Sequence, residues 1–369
     1  MIRRSLAATT MLLTLAGCGG SAQVSSVAPS TSTAATGPAS AGLQQVEDAA
    51  RKEGQLTLIW TSGGLANAQT IDAIAAGAKQ AYGVDFKVDA SVTGPSMPDM
   101  SARVIQEFQT HRAASTDVFF GEETTTLAAI EAGALTPVDW ASWSNNVKDS
   151  RLTAPDGVAV EMASRTMGIL YNTKDLTGDR VPKTLADLLR PDLKSKVATT
   201  SYAAGFNLLA TPELWGEQKT NDYLTKLSDQ VSGLIRCGDI DRIASGEFDA
   251  FAIACDTSVA QTMQAQGKPV GSVVPTDAPI VDFYYLSIPK NAAHPNLAKL
   301  WIDYIMSRAG QDILFKAGYV DHYLVPGSHT AAALQSLKVT NVDVQFMQRN
   351  DPKKLAAIAN AQIKLLSKK

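Results

Sequence analysis

Cysteine and histidine are scarce in this 369-residue chain, with three of the first and four of the second. So few exclude a disulfide-dense small scaffold and a zinc-ribbon or zinc-finger module, both of which need closely spaced ligand pairs. His111, His294, His322 and His329 are scattered, with no carboxylate or histidine at a usual metal-ligand spacing. Catalytic signatures are missing too. There is no G-x-S-x-G nucleophile elbow, no G-x-x-x-x-G-K-[ST] phosphate loop and no H-E-x-x-H helix, so the chain is not expected to be an enzyme and implies no metal or cofactor. Neither sign of charge dominates: 33 basic against 36 acidic side chains leave a net charge of −3, with a pI near 5.9. No basic patch interleaved with aromatics is present, which argues against nucleic acid as a partner. No apolar run reaches the roughly twenty residues that a membrane-spanning helix needs.

What the chain does have begins at its N-terminus. Arg3 and Arg4 precede an apolar run over 6–15, and small residues lead to Cys18. That pattern is a secretory signal. The string Leu15-Ala16-Gly17-Cys18 resembles the lipobox of bacterial lipoproteins. The resemblance implies that 1–17 are a signal peptide and that Cys18 becomes a lipidated N-terminus, so the protein is extracytoplasmic and anchored to the bacterial cell membrane. The other reading, an ordinary cleaved signal, lacks an A-x-A-like site. Residues 19–46 carry no charge and are mostly Ser, Ala, Thr, Gly and Pro. Such a composition cannot bury enough apolar surface to offset its ordering entropy, so 18–46 reads as a flexible low-complexity tether. Folding is expected from Glu47, and the remaining length favours two lobes over one core. With Cys18 acylated, Cys237 and Cys255 are left. An even remainder in an exported protein suggests a disulfide, with two buried free thiols as the alternative.

Beyond the tether, strand-like and helix-like segments alternate. Strands are expected at 56–60, 84–90 and 117–120, and helices at 67–82, 98–111 and 124–132. The second set has strands at 169–171, 197–199, 234–237, 248–255 and 283–288, with helices at 184–190, 207–215, 240–245, 258–266 and 295–307. Alternation of this kind means βαβ units and a parallel sheet, with ligands beyond the strand carboxyl ends. No fixed-period repeat is present.

From Met162 onward the residues carry a further resemblance. The run Ala163-Ser164-Arg165-Thr166-Met167-Gly168-Ile169-Leu170-Tyr171-Asn172-Thr173-Lys174 is followed by Pro182, Leu185, Pro191 and Lys194. It is similar to the central segment of extracellular solute-binding proteins of ABC transporters, in the ferric-type branch of the type II periplasmic-binding fold. Gly94, Ser96, Arg103 and Glu107, Thr116-Asp117-Val118-Phe119-Phe120, Ala132-Gly133-Ala134-Leu135 and Lys290-Asn291-Ala292-Ala293-His294-Pro295-Asn296 extend the match over most of 55–319. The resemblance implies an α/β, two-lobed fold with a cleft between the lobes and two interlobe crossings, near 162–166 and 277–282. Residues 47–162 plus 282–369 would form lobe one, and 163–281 lobe two. It also implies a monomeric receptor that captures a small-molecule solute by hinge closure and delivers it to an ABC permease. An extracytoplasmic sensor lipoprotein, or an enzyme on the same fold, is the alternative.

Candidate ligand contacts follow from the strand ends. Trp60, Thr61 and Ser62 close the first strand. Gly94 and Ser96 close the second and open a helix whose free amides suit an oxyanion, although Ser96 also suits an N-cap. Glu122 lies in the turn Gly121-Glu122-Glu123-Thr124, where the helix dipole by itself favours carboxylates. Arg165 at the first crossing suits a carboxylate or phosphate, or a structural ion pair. Tyr202 precedes a helix, and Asp256 and Thr257 follow the strand ending at Cys255, with Asp256 equally able to cap the next helix. Glu122, Asp256, Trp60 and Tyr202 suit a cationic or hydroxylated organic solute, whereas Ser96, Arg165 and helix N-termini suit a phosphorylated or carboxylated one. Iron-binding relatives carry a tyrosine pair where this chain has Cys255 and Asp256, so ferric ion is disfavoured. Tyr284 and Tyr285 do not replace that pair, because alternation along a strand sends them to opposite faces.

Overall fold

The computed structural model describes residues 40–61, 67–336 and 352–366. The signal peptide at 1–17, Cys18, the tether through residue 39, the side chain of Thr61 and all of Ser62 lie outside the described residues.

Helix α1 (Ala41–Glu53) starts inside the segment expected to be tether. Ser40 accepts the amide of Leu43 at 3.2 Å and caps it. Leu43, Val46 and Ala50 are buried, three and four places apart, which puts them on one face. The absence of charge over 40–46 therefore reflects an apolar helix face, and residues 40–46, expected to be tether, already belong to the folded part. The chain continues through β1 (Gln55–Thr61), α2 (Ala68–Tyr82), β2 (Lys87–Gly94), α3 (Met97–Gln109), β3 (Phe119–Glu122) and α4 (Glu123–Glu131). After turns and short 3-10 segments come β4 (Val160–Asn172), β5 (Val197–Thr200), α5 (Phe206–Leu209), α6 (Glu217–Gln230), β6 (Val231–Ile235), α7 (Asp241–Ala244), β7 (Ala250–Ala254), α8 (Val259–Ala265), β8 (Val270–Val273) and β9 (Ile280–Ser287). Among the described residues four helices follow: α9 (Pro295–Ile305), α10 (Arg308–Gly318), α11 (His329–Ser336) and α12 (Pro352–Leu366).

The alternation is real, but the sheets are mixed where the sequence pattern pointed to parallel ones. β1 and β2 form a parallel pair. A seven-stranded sheet runs β3-β9-β4-β7-β5-β6, with β8 also on β4. β5 is parallel to β6 and β7, whereas β4 is antiparallel to β7, β8 and β9, and β9 to β3. Hydrophobic periodicity does not encode strand direction, and the two long strands β4 and β9 return past each other.

Two main cores result. One gathers Leu58, Trp60, Ile74, Met162 and Trp301, and the other Ile169, Leu185, Phe206, Leu224 and Ile280. Strand β4 gives Met162 and Ala163 to the first and Met167 and Ile169 to the second; β9 gives Leu286 to the first and Ile280 to the second. The same two strands thus thread both cores. Residues 282–369 do not all join the first core. Helix α12 packs on α5 and α6, with Leu355 and Leu366 in the second core and the buried Gln362 donating from Nε2 to the Phe206 carbonyl at 3.0 Å. Helix α6 has no counterpart in the sequence reading because it is strongly polar, with Tyr223, Leu224 and Leu227 as its main apolar contacts. A disulfide joins Cys237 to Cys255 across a separation of 18 residues, with Cα atoms 5.7 Å apart. A loop of that length contributes about 3 kcal/mol through the unfolded chain.

Trp60 corrects an expectation. Its indole is 2% exposed, stacks on Phe120 at 5.5 Å between ring centroids and meets Trp301 edge-on at 6.3 Å. The register of β1 sends it inward, so it is core and not cleft. Trp60→Ala should cost about 3–5 kcal/mol, the usual loss for a buried Trp. A denaturant titration that finds less than 1 kcal/mol would return Trp60 to the surface.

Candidate functional site

At their middle, β4 and β9 bring opposite charges together. Arg165 and Asp282 are direct partners in the antiparallel ladder, and their side chains form an ion pair. Arg165 is 6% exposed. Its guanidinium carbon lies 4.1 Å from the centroid of the Tyr284 ring, a cation–π contact in a desolvated setting. Its Nε has no hydrogen-bond partner among the described residues. On the other side of β9, Tyr284 opposes Glu122 at the end of β3. Glu122 donates its amide to Thr125 Oγ1 at 3.0 Å, which starts α4, so Glu123 becomes the first helical residue.

These groups surround a cavity of about 300 Å³ bordered by Glu122, Glu123, Arg165, Tyr202, Asn207 and Asp282. Glu123 is buried, and its Oε1 has no partner among the described residues. Burial pushes the carboxyls of Glu122 and Glu123 above the usual carboxylate range, Glu123 well above, and repulsion from Asp282 adds to the effect while Arg165 partly offsets it. Asp256 is raised by burial as well, with Arg165 again the main opposing influence. Arg165, attracted by Asp282, Tyr284, Glu122 and Asp256, stays firmly protonated. Three of these carboxyls, Glu122, Glu123 and Asp282, therefore border the cavity with Arg165, and Asp256 acts on the same guanidinium electrostatically from outside the cavity lining.

The opposite wall carries local backbone strain. Ala203 and Ile253 adopt φ of 51° and 50°. For a β-branched residue that conformation costs on the order of 1–3 kcal/mol, a strain typical of places where side chains are aimed. Ile253 leads directly into Cys255 and Asp256.

Of the residues singled out from sequence, Glu122, Arg165 and Tyr202 border the cavity. Tyr202 is 43% exposed on the rim, where its hydroxyl accepts from the Cys237 amide at 2.9 Å. Asp256 interacts electrostatically with Arg165, and its Oδ1 accepts the Ser258 amide at 2.8 Å in a local turn; it is not the cap expected from sequence, because α8 starts at Val259 with Ser258 in the N-cap position. Thr257 is structural: its amide donates to the Thr166 carbonyl at 2.8 Å, and its hydroxyl bonds that of Thr166. Gly168 permits this approach, since a Cβ there would meet the Val273 carbonyl at 2.4 Å and Thr257 Cγ2 at 3.0 Å. Gly94 and Ser96 lie away from the cavity. Ser96 caps α3, accepting the Asp99 amide and donating to its carboxylate at 2.6 Å. Gly94 packs on Ile59 and Trp60, where a Cβ would come within 2.8 Å of Ile59 Cγ2. Trp60, as shown, is core. Sequence reasoning did not single out Asn207 or Asp282, and it named Glu123 only together with Glu122 in the turn after the third strand. Asp282 left a signal, as the one charge in the otherwise apolar strand β9.

Comparison with known proteins follows from this geometry. A family profile described as bacterial extracellular solute-binding protein matches residues 113–343. An uncharacterized protein of Haemophilus influenzae is 29% identical over 198 residues, covering 50% of this chain and 57% of that protein, so the chain spans just over half the length of this curated relative. Among solved structures, the substrate binding protein of an ABC transporter from Agrobacterium tumefaciens superposes with a TM-score of 0.68 at 17% identity, covering 85% of this chain and 94% of the other. AfuA from Actinobacillus pleuropneumoniae, with exogenous fructose-6-phosphate bound, gives 0.63 at 21% identity, covering 85% and 99%. Iron-bound HitA from Pseudomonas aeruginosa gives 0.62 at 18%, with the same coverage. At these identities the likeness is one of fold, and it establishes the α/β type II periplasmic-binding architecture.

The raised carboxyls predict a pH dependence. Where the folded pKa exceeds the unfolded one, the native state binds more protons, and stability is lost as pH rises from the ordinary carboxylate value through the folded pKa. Glu123→Gln removes that loss. Thermal melts should place the variant above the parent at pH 7.5, with the gap closing toward pH 4.5; a variant that melts lower at pH 7.5 would show Glu123 to be stabilising.

Proposed function

Since this chain belongs to the bacterial extracellular solute-binding proteins, we propose that it is the lipid-anchored receptor of an ABC importer, and that its solute is a small organic cation. The anchor rests on Cys18 and the signal before it. The single observation that carries the ligand is the three carboxyls that border the cavity, Glu122, Glu123 and Asp282, beside one guanidinium that is already paired. A phosphate or carboxylate entering there meets those carboxyls and finds Arg165 engaged. Fructose-6-phosphate, bound in one structural relative, is therefore a poor match. Iron, bound in another, asks for hard anionic oxygens that converge. Here the Tyr284 phenol is held protonated by burial, its ring is under Arg165, and no group of three or more metal-ligating His, Cys, Asp or Glu side chains gathers among the described residues. A cation instead gains from every acid it approaches and takes the proton's place on Glu122 or Glu123.

Capture would use β4 and β9 as the hinge, because a ligand that touches both cores favours the closed arrangement by its differential affinity for it. Attachment through Cys18 would hold the receptor near its permease and raise its local concentration there.

A thermal-shift panel of choline, agmatine, putrescine, ferric citrate and fructose-6-phosphate at pH 7.5 tests the ligand class. A cation at about a hundred times its dissociation constant should stabilise the fold by about 2.7 kcal/mol, and Glu122→Gln should weaken that binding at least tenfold. A shift with the sugar phosphate or iron and none with any cation overturns the reading. For the anchor, Cys18→Ala should abolish incorporation of a labelled fatty acid and release the protein from membranes, and unchanged labelling would refute it.

A further inference from the structure

The acid-lined cavity does not end at Glu123. A second cavity of about 230 Å³ adjoins it, bounded by Leu127 of α4 and by Leu355 and Asn360 of α12. The two share Glu123, Thr124, Asn207 and Ala359 as common wall. Charge borders the first chamber, whereas the second is bounded by two leucines, an alanine and two side-chain amides. Glu123 stands at the junction, 7% exposed, with an Oε1 that no described group engages. A buried carboxyl oxygen without a donor is costly, and natural structures leave few of them. The far wall is firmly built, since α12 is pinned by Gln362 to Phe206 and by Leu355 and Leu366 to the second core.

We infer that the solute is longer than the acid cluster: it seats a cationic head against Glu123 and lays an uncharged arm of several carbons along Leu127 and Leu355 in the second chamber. The inference deepens the cation reading and rests on it. Each chamber alone is at or below the size of an ordinary small-molecule site, about 300–1,000 Å³, and together they fall inside that range. A bare metal ion or a compact ammonium would use the first chamber alone, so the second sets a chain-length preference. Glu123 is the specificity residue because it touches both. The groups facing it are Glu122 on β3, Asp282 and Tyr285 on β9 and Arg165 on β4, with Asn207 and Asn360 uncharged across the chamber.

Calorimetric titration of the whole protein with n-alkylguanidinium ions, methyl through hexyl, at pH 7.5 tests this. Affinity should rise about fourfold for each added methylene until the chamber is full, the gain expected for a buried CH₂. Glu123→Gln should weaken every member at least tenfold. Asn360→Trp, at an exposed position of α12, should cost hexylguanidinium at least tenfold more than methylguanidinium, and Leu127→Trp, on the facing helix, should do the same. A parent protein whose affinity does not vary with arm length, or variants that weaken all lengths equally, overturns the second chamber while leaving the cation site intact. If the parent binds no member of the series, the cation reading falls and this inference falls with it.

Discussion

Arg165 and Asp282 face each other across the β4–β9 ladder at the place where both strands leave one core for the other, and most of the cleft is arranged around that contact. An ion pair so buried brings little net stability, since the desolvation of two charges roughly cancels their attraction, whereas leaving either partner alone is severe. Its value is in position. The guanidinium holds Tyr284 flat beneath it, Tyr284 sets the height of Glu122 across β9, and Asp256 is drawn in from the second core. One buried cation thereby collects acids from three strands that share no local sequence.

The pair needs a rigid back wall, and α10 together with the loop after it supplies it. Gln311 donates to the Met162 carbonyl at 3.0 Å, the Asp321 carbonyl accepts from the Ser164 amide at 3.2 Å, and Ser164 Oγ accepts from the Tyr323 amide at 3.2 Å. His322 sits fully buried beneath, stacked between Phe283 and Tyr323, with burial pushing its imidazole down to about 3. It is therefore neutral at any physiological pH. Its Nδ1 accepts from the Leu324 amide, which leaves the proton on Nε2 facing Glu161 at 3.4 Å. These contacts fix the first-core half of β4. The second-core half is fixed by Thr257 on Thr166 and by the disulfide beside Asp256. Bending, under the proposed hinge, is thus confined to the few residues around Arg165.

Much of this order was legible in the sequence, for identifiable reasons. Alternating periodicity placed β1 to β3 and α2 to α4 close to their observed bounds, because each helix shows one apolar face and each strand a short apolar run. The glutamates at the end of β3 were visible as helix-starting residues beside a strand end, and Arg165 as a charge at the first crossing that the resemblance implied. Register was not legible. Trp60 looks like a strand-end contact in a linear reading, yet the pleat sends its indole into the core. The partner of Arg165 is 117 residues away, and no local pattern joins β4 to β9. Helix α12 escaped for a related reason: its apolar positions match the second core as readily as the first, and its seat is decided by a buried amide, Gln362, that meets a backbone carbonyl on α5.

Glu123 shows what the arrangement costs and why it persists. Helix α4 would begin as well with glutamine there, and the core would be spared a carboxyl whose ionisation burial opposes. Natural sequences sit only modestly above the stability they need, so a residue that lowers stability is retained where it does other work. The surrounding groups narrow that work. Asp282 and Glu122 repel the anionic form, Arg165 is committed to Asp282, and no described donor reaches Oε1. The net balance on Glu123 within the protein therefore opposes its charge, with Arg165 offsetting it only in part, and under the proposed function that balance reverses when a cation enters from outside. Under the proposed cation reading, a site whose acids are ionised by the ligand would discriminate against neutral and anionic solutes without a steric gate, because those solutes would give the buried carboxyls no compensating charge.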